Sequence, residues 1–141
     1  MSKAKFELSA GGLVYKKNRD IEILLTKSFN KWSLPKGNVE RKKKEKVVNT
    51  VKREIKEETG LDIKVGKKIG DINYMYKLKG ELIYKKVYFY LAEVLNSKKI
   101  TINKKELQNA KWVKADEVVK LVDYNNTREI VKKGLEVIKN G

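Results

Sequence analysis

The spacing of apolar residues changes once in the first half of the chain, and this change constrains the fold more than any other feature. Before Glu45, apolar residues gather in short runs with polar breaks, as they do in strands. From about Glu45 to Thr59 they recur every three or four positions, which is the period of an amphipathic helix. The predicted apolar stripe consists of Val47, Val48, Val51 and Ile55. Gly60 follows where a helix commonly ends in the left-handed conformation. The sequence therefore predicts a helix between two strand regions.

Upstream of this helix the sequence predicts a hairpin and a loop. The hairpin strands are expected at 6–17 and 21–28, because β-branched and apolar residues flank a polar turn. The segment 31–40 contains the only proline, Pro35, and a glycine, Gly37. These residues favour a loop directly before the helix.

Downstream of the helix the sequence predicts three more strands and two more helices. Two long strands should pair across a turn at Lys79-Gly80, and another strand is expected around Trp112-Val113. Asp116 is the expected N-cap of the next helix, and a final helix should cover 126–139. Its predicted buried side consists of Ile130, Val131, Leu135 and Ile138. This order predicts an α/β or α+β sandwich with a mixed sheet covered by helices.

Composition limits the chemistry that the chain can perform. Its 141 residues suit one domain, predicted to cover 1–141, and they include no cysteine and no histidine. Serine–histidine, cysteine–histidine and histidine–zinc mechanisms are therefore excluded. Acid or base catalysis has to come from carboxylates, lysine, tyrosine or a metal-bound water.

The charge of the chain favours anionic partners. Lysine and arginine number 34 against 18 aspartate and glutamate, a formal net charge of +16. Nucleotides, polyphosphates, RNA and DNA would all suit this balance, although a lysine-rich proteome would produce it too. No stretch has the composition of a secretory signal or a membrane span. We expect a cytoplasmic protein with no membrane contact, and the sequence indicates no protein partner.

Three carboxylates lie close together near the end of the predicted helix. Glu54, Glu57 and Glu58 share one face, with Arg53 beside them. Like charges at this spacing cost about 0.2–0.5 kcal/mol per pair, and they also oppose the helix dipole. A hard divalent cation such as magnesium would neutralise them. The alternative is a solvated face, since lysines occupy positions 46, 52 and 56.

The segment before the helix makes the cation hypothesis more specific. Lys36 and Gly37 supply a positive charge and a flexible backbone just ahead of the helix. A phosphate group could meet backbone N–H groups there, so both residues are predicted to bind substrate. Carboxylates for a metal, a lysine and a glycine loop together suit polyphosphate chemistry.

The stretch from Gly37 to Leu61 resembles the Nudix box, in which a glycine and a glutamate precede an Arg-Glu-aliphatic-x-Glu-Glu-x-Gly-aliphatic run. The second half matches at every fixed position: Arg53, Glu54, Ile55, Glu57, Glu58, Gly60 and Leu61. In the first half, seven residues instead of five separate Gly37 from Glu45. We interpret the difference as a two-residue loop insertion, because Glu45 stands at the expected distance before Arg53.

The segments "SAGGLVY", "WSLPKGN", "YLAEV" and "AKWV" are most similar to the Nudix branch that hydrolyses diadenosine tetraphosphate asymmetrically. This resemblance implies a Nudix-type α/β/α sandwich. It also implies a metal-binding face of Glu54, Glu57 and Glu58, joined by Glu106 from a later loop. Arg53 would orient Glu54, and Glu54 or Glu106 would act as general base.

The same resemblance implies a set of substrate contacts. Lys36 and Lys85 match the positions that bind phosphates in that branch. Tyr76 and Tyr124 are the candidates for stacking on adenine, although strand tyrosines more often serve ordinary packing. Trp32 is assigned to the core.

The expected function is hydrolysis of nucleoside polyphosphates with Mg²⁺, or Mn²⁺ in its place, and diadenosine tetraphosphate is the favoured substrate. Two alternatives remain open at this point. One is removal of pyrophosphate from RNA 5′ ends, which the positive charge would assist. The other is a non-hydrolytic Nudix protein that binds a nucleotide or RNA. Replacing Glu57 or Glu58 by glutamine is expected to abolish turnover.

Overall fold

A computed structural model describes residues 4–95 and 99–141 of the chain. Within these residues, seven strands and three helices follow each other in the order β1 (Lys5–Lys17), β2 (Ile21–Ser28), β3 (Lys31–Ser33), β4 (Lys36–Asn38), α1 (Val47–Thr59), β5 (Ile63–Leu78), β6 (Glu81–Val94), β7 (Asn109–Lys114), α2 (Ala115–Leu121) and α3 (Asn125–Asn140). A short 3₁₀ turn at Arg41–Lys43 lies between β4 and α1.

The strands form one mixed sheet. Its main order is β3-β2-β1-β6-β5, with β4 paired to β1 and β7 paired to β2. The long β1 and β6 are parallel, whereas the other pairs are antiparallel. The β5–β6 hairpin turns at Lys79 and Gly80, where φ is 50° and 80°. Both residues adopt the left-handed region that a tight hairpin turn requires, which confirms the predicted turn.

Helices cover both faces of the sheet, and a hydrophobic core lies on each side. On one face, Val51 and Ile55 of α1 pack with Ala10, Val14 and Leu24 of the first two strands. On the other face α2 and α3 pack against residues of β1, β2 and β6. The predicted buried side of α3 is confirmed, since Ile130, Val131, Leu135 and Ile138 are all buried. The architecture is the expected α/β/α sandwich.

Several predicted boundaries differ from the structure. The helix begins at Val47, because Glu45 turns back to bond the backbone N–H of Glu40. The predicted loop at 31–40 contains two short strands, β3 and β4.

Two predictions about helix surfaces were wrong. Asp116 lies in the first turn of α2, whose N-cap position is Lys114 and has no side-chain cap. Val48, expected on the apolar stripe of α1, is 38% exposed, because the sheet beneath that turn contacts Val47 and Val51 instead. Among the described residues no helix has the length and apolar composition to cross a membrane.

Candidate active site

Helix α1 presents two carboxylates to the protein interior. Val51 and Ile55 fix the rotation of the helix by packing into the core. That rotation leaves Glu54 and Glu58 only 9% and 7% exposed. A buried carboxylate is costly unless it is paired or binds a cation, so this placement indicates a function.

The loop between β6 and β7 supplies a third carboxylate. Glu54, Glu58 and Glu106, which we call the acidic cluster, each place an oxygen within 4.8 Å of the others. The backbone N–H of Asn103 donates to the carbonyl of Glu58 at 3.0 Å, and that of Gln108 donates to the carbonyl of Lys27 at 2.8 Å. These two bonds hold the loop in place on either side of Glu106.

The electrostatics of the cluster are unfavourable without a cation. Burial raises the pKa of Glu58 to about 8, assisted by the neighbouring Glu54 and Glu106 carboxylates. Burial likewise raises the pKa of Glu54, although Arg53 opposes that shift. Within residues 4–95 and 99–141, Glu58 Oε2 is the buried side-chain oxygen that lacks a hydrogen-bond partner. An orphaned, buried carboxylate oxygen is suited to binding a hard metal ion.

Gly37 lies directly against the cluster. A Cβ atom on this residue would stand 1.9 Å from the carboxyl carbon of Glu54. Only a glycine therefore leaves room for Glu54 in its observed position. Gly37 is predicted to bind substrate, and the structure adds this close approach to Glu54.

Arg53 binds the outer side of the cluster through a set of contacts that we call the arginine clamp. Its guanidinium donates to Glu45 Oε2 at 2.7 Å, to Glu54 Oε1 at 2.9 Å and to Glu57 Oε2 at 3.2 Å. It also donates to the carbonyl of Asn38 at 2.9 Å. The predicted orientation of Glu54 by Arg53 agrees with this geometry. Glu57 has a side chain that is 47% exposed and belongs to the clamp, not to the acidic cluster.

The structure also assigns a place to Glu45. Besides Arg53, its carboxylate accepts hydrogen bonds from Thr50 Oγ1 at 2.7 Å and from the backbone of Glu40 at 3.1 Å. Hydrogen bonding to Arg53 lowers the pKa of Glu45 to about 2. Between Gly37 and Glu45, Arg41–Lys43 form the 3₁₀ turn and Lys44 takes a left-handed φ of 55°. The insertion therefore leaves the contact between Glu45 and Arg53 intact.

A cavity of about 560 Å³ opens beside the acidic cluster. Its wall includes Glu58, the two predicted phosphate-binding lysines Lys36 and Lys85, and the predicted stacking residue Tyr124. Lys36 donates a hydrogen bond from Nζ to the hydroxyl of Tyr74 at 3.2 Å. Burial lowers the pKa of Lys36, while the Glu58 carboxylate opposes that shift. Positive and negative groups thus line the same cavity, as a metal-bound polyphosphate would require.

Tyr76, the other stacking candidate, is placed differently. It does not line this cavity, and its hydroxyl donates a hydrogen bond to Glu7. Tyr74 lies in the cavity wall instead, with its ring centre 6.1 Å from that of Tyr76. Both tyrosines lie on one side of β5, so the sequence pattern indicates either of them equally well as the stacking residue.

Sequence reasoning missed Phe29, which also lines the cavity and is 91% exposed. Phe29 and Asn30 form the β2–β3 turn with φ of 50° and 61°. The side chain of Gln108 holds this turn through two hydrogen bonds with Asn30. A bulky residue with positive φ is rare, and no sequence pattern for strands or helices would reveal it.

Comparisons with known proteins agree with this geometry. The sequence model of the NUDIX domain matches residues 5–134. A curated relative from Mycobacterium tuberculosis, provisionally named mutator protein MutT4, is 29% identical over 141 residues, which cover 94% of this chain. The chain spans only 56% of that relative's length. Bis(5′-nucleosyl)-tetraphosphatase (asymmetrical) from Sus scrofa is 29% identical over 126 residues, covering 83% of this chain and 80% of the relative.

A solved structure is similar along almost its whole length. The crystal structure of a C. elegans Ap4A hydrolase binary complex superimposes with a TM-score of 0.79 at 25% sequence identity. The superposition covers 96% of this chain and 99% of the hydrolase. The expected resemblance to the Nudix family and to its diadenosine tetraphosphate hydrolase branch is thereby confirmed.

Proposed function

Because the chain belongs to the NUDIX domain family, we propose that it hydrolyses a phosphoric anhydride bond of a nucleoside polyphosphate. The favoured substrate is diadenosine tetraphosphate, cleaved to ATP and AMP. The observation that carries this proposal is the acidic cluster beside a cavity lined by Lys36 and Lys85. The buried Oε2 atom of Glu58 has no hydrogen-bond partner in the part of the chain that the structure describes. The Sus scrofa and C. elegans relatives, each named for hydrolysis of such tetraphosphates, support the choice of substrate.

The residues of the acidic cluster fit a divalent cation, for which Mg²⁺ is the first choice and Mn²⁺ the second. Glu54, Glu58 and Glu106 offer only oxygen atoms, which hard cations prefer. Glu57 lies at the exposed edge and extends this set toward solvent. A cation bound there would screen phosphate charge and lower the pKa of a bound water.

The chain's own residues would position the metal-binding carboxylates and accept the proton of the attacking water. Arg53 fixes the position of the Glu54 carboxylate, and Gly37 leaves the space for it. Glu54 or Glu106 accepts the proton of the attacking water as general base. Burial already raises the pKa of Glu54, which makes it a stronger base than an exposed glutamate.

The cavity accounts for the substrate contacts. Lys36 and Lys85 lie in its wall, where their charges can offset those of the leaving nucleotide. Tyr124 is 44% exposed and lines the same cavity, so its ring is available to stack on a base. Tyr76 remains a candidate as well, since it neighbours Tyr74 at the cavity wall.

The test is the release of AMP and ATP from diadenosine tetraphosphate by the purified protein, with magnesium and with a chelator. ATP alone and a 5′-triphosphorylated RNA are the comparison substrates. We expect metal-dependent release of AMP that varies little with added salt. A faster release of pyrophosphate from RNA, falling steeply with salt, would support the RNA alternative. Binding of nucleotide without any cleavage would contradict a hydrolase.

A further inference from the structure

A row of exposed apolar side chains crosses one end of the sheet. Phe6 of β1 pairs with Tyr84 of β6, and Tyr84 pairs with Met75 of β5. Paired residues on adjacent strands point to the same face, so the three side chains lie side by side. They are 48%, 47% and 55% exposed, respectively. We call this group the apolar row.

The apolar row lies on the face of the sheet that α1 covers, but beyond the reach of that helix. On this face α1 packs over Ala10 and Val14, which are further along β1 than Phe6. The cavity lies on the opposite face, because Tyr74 and Lys85 alternate with Met75 and Tyr84 along their strands. A molecule bound to the apolar row would therefore leave the cavity open.

Positive charges surround the apolar row. The guanidinium carbon of Arg41 stands 5.3 Å from the ring centre of Phe6, and an Arg41 nitrogen donates to the Phe6 carbonyl at 2.8 Å. Arg41 begins the basic run 41–44, which is exposed throughout.

The same face carries further lysines along the strands. Lys86 in β6 and Lys77 in β5 are each two residues from a member of the apolar row, so their side chains point to the same face. The Nζ atoms of Lys68 and Lys86 lie 4.1 and 5.7 Å from the ring centre of Tyr88, a second aromatic residue on this face. Asp71 is the nearby acidic residue of β5, and it is hydrogen-bonded to Asn73.

We propose that the apolar row and its surrounding basic residues bind single-stranded nucleic acid. Aromatic side chains on an exposed sheet can stack on bases, while lysine and arginine contact the phosphates. Tyr84 and Tyr88 are four residues apart on one strand, about 13 Å, which lets one flexible strand reach both. This inference does not depend on the proposed hydrolysis, because it concerns the other face of the sheet.

The charge of the face favours this occupant over a second copy of the chain. Two copies that met at the apolar row would bring their basic runs together, and each carries a formal net charge of +16. Such contact costs free energy through repulsion of like charges. A polyanion, in contrast, gains from every lysine around the row.

The experiment uses a fluorescein-labelled 12-nucleotide oligouridine with a 5′-hydroxyl, and the matching oligothymidine, in anisotropy titrations from 50 to 300 mM KCl. Both lack a polyphosphate, so the cavity has no reacting group to engage. We expect binding, weakened about tenfold by Tyr84→Ala and by Phe6→Ala. Equal affinity for the two oligomers would indicate that the 2′-hydroxyl has no role in binding. Tighter binding of the oligouridine would identify RNA as the preferred ligand, and both outcomes support the proposal.

Lys86→Gln and Lys133→Gln form a matched pair that separates a defined site from general attraction. Lys133 is exposed on α3, in the opposite layer of the molecule. We expect Lys86→Gln to reduce the slope of log affinity against log salt by about 0.7, the value for one lost phosphate contact. Lys133→Gln should leave the slope unchanged. Equal effects of the two variants would overturn the proposal.

Three other outcomes would overturn it as well. The first is no binding of either oligomer at 50 mM KCl, which would leave the face to a partner such as an acidic protein. The second is competition by excess ATP, which would place the strand in the cavity. The third is a dimer in light scattering that Tyr84→Ala converts to monomer, since a second copy would then cover the row. Hydrolytic turnover of Tyr84→Ala should equal that of the wild type and reports correct folding.

Discussion

The arginine clamp and the acidic cluster share Glu54, but they differ in how negative charge is stabilised: the clamp contains a positively charged side chain, and the cluster consists of carboxylates alone. In the clamp, Arg53 donates to three carboxylates and one carbonyl, so each of these carboxylates has a positively charged partner. In the cluster, Glu58 is buried beside Glu54 and Glu106, and one of its oxygens has no hydrogen-bond partner among the described residues. The clamp can therefore stabilise the fold by itself, whereas the cluster gains stability only when a cation binds.

The largest effect is expected from Glu58→Gln. An amide cannot replace a metal-binding carboxylate, so turnover of diadenosine tetraphosphate at saturating magnesium should fall by about a thousandfold or more. The metal-free variant should unfold at the same or a higher urea concentration than the wild type, because glutamine removes the cost of protonating a buried carboxyl whose pKa is raised to about 8. Turnover and urea unfolding measure the two effects. Glu129→Gln, exposed on α3, is the control, and full activity of Glu58→Gln would refute the role of the cluster.

Gly37→Ala tests the space beside Glu54. The added methyl group would overlap the Glu54 carboxyl group and displace it, so we expect turnover to fall by about a hundredfold. Circular dichroism should show an unchanged fold. Gly66→Ala is the matched control, since its Cβ would make ordinary contacts at 3.6 Å. Equal activity of both variants would show that Glu54 tolerates displacement.

Glu45→Gln tests the clamp without touching the cluster. Losing the ionic hydrogen bonds to Arg53 should reduce the free energy of unfolding at pH 7 by about 2 kcal/mol. The pKa of Glu45 is lowered to about 2 in the folded protein from an ordinary value of 4.5. Its stabilisation is therefore complete above pH 4.5 and is lost as the pH falls toward 2.

Urea unfolding of the wild type and Glu45→Gln at pH 7, 5 and 3.5 measures this dependence. The difference between the two proteins should shrink at the lowest pH. A difference that stays constant across the series would mean that the Glu45 charge does not stabilise the clamp.

The smallest effect is expected from Glu57→Gln. Helix spacing alone assigns Glu57 the same importance as Glu58, but the structure places it at the exposed edge with Arg53 as its partner. We therefore expect turnover to fall by about tenfold, with recovery at higher magnesium concentration. A magnesium titration of both variants makes the comparison. A loss as large as that of Glu58→Gln would place Glu57 among the principal metal ligands.

Local sequence patterns predicted much of the fold correctly. The hairpin turns, the end of α1 at Gly60 and the buried side of α3 all follow from short-range conformational preferences. The errors fell where tertiary contacts compete with those preferences. Val48 is exposed because the sheet contacts its neighbours Val47 and Val51 instead, and Asp116 lies within the first turn of α2 instead of capping it.

The candidate site was predictable to a smaller extent. Glu54 and Glu58 came from helix spacing, whereas Glu106 came only from the family resemblance, because a single loop glutamate has no pattern of its own. Phe29 was missed since its positive φ depends on hydrogen bonds between Asn30 and the distant Gln108. The sequence placed Glu45 at the expected distance before Arg53, and the structure adds its hydrogen bonds with Arg53, Thr50 and Glu40.

By itself, the sequence determined that three glutamates and an arginine share one end of a helix, because the helical period depends only on local backbone geometry. Tertiary structure decided that Glu54 and Glu58 lie beside Glu106, whereas Glu57 binds Arg53 at the surface. Burial and pKa depend on neighbours that are remote in the chain, so no local pattern can specify them.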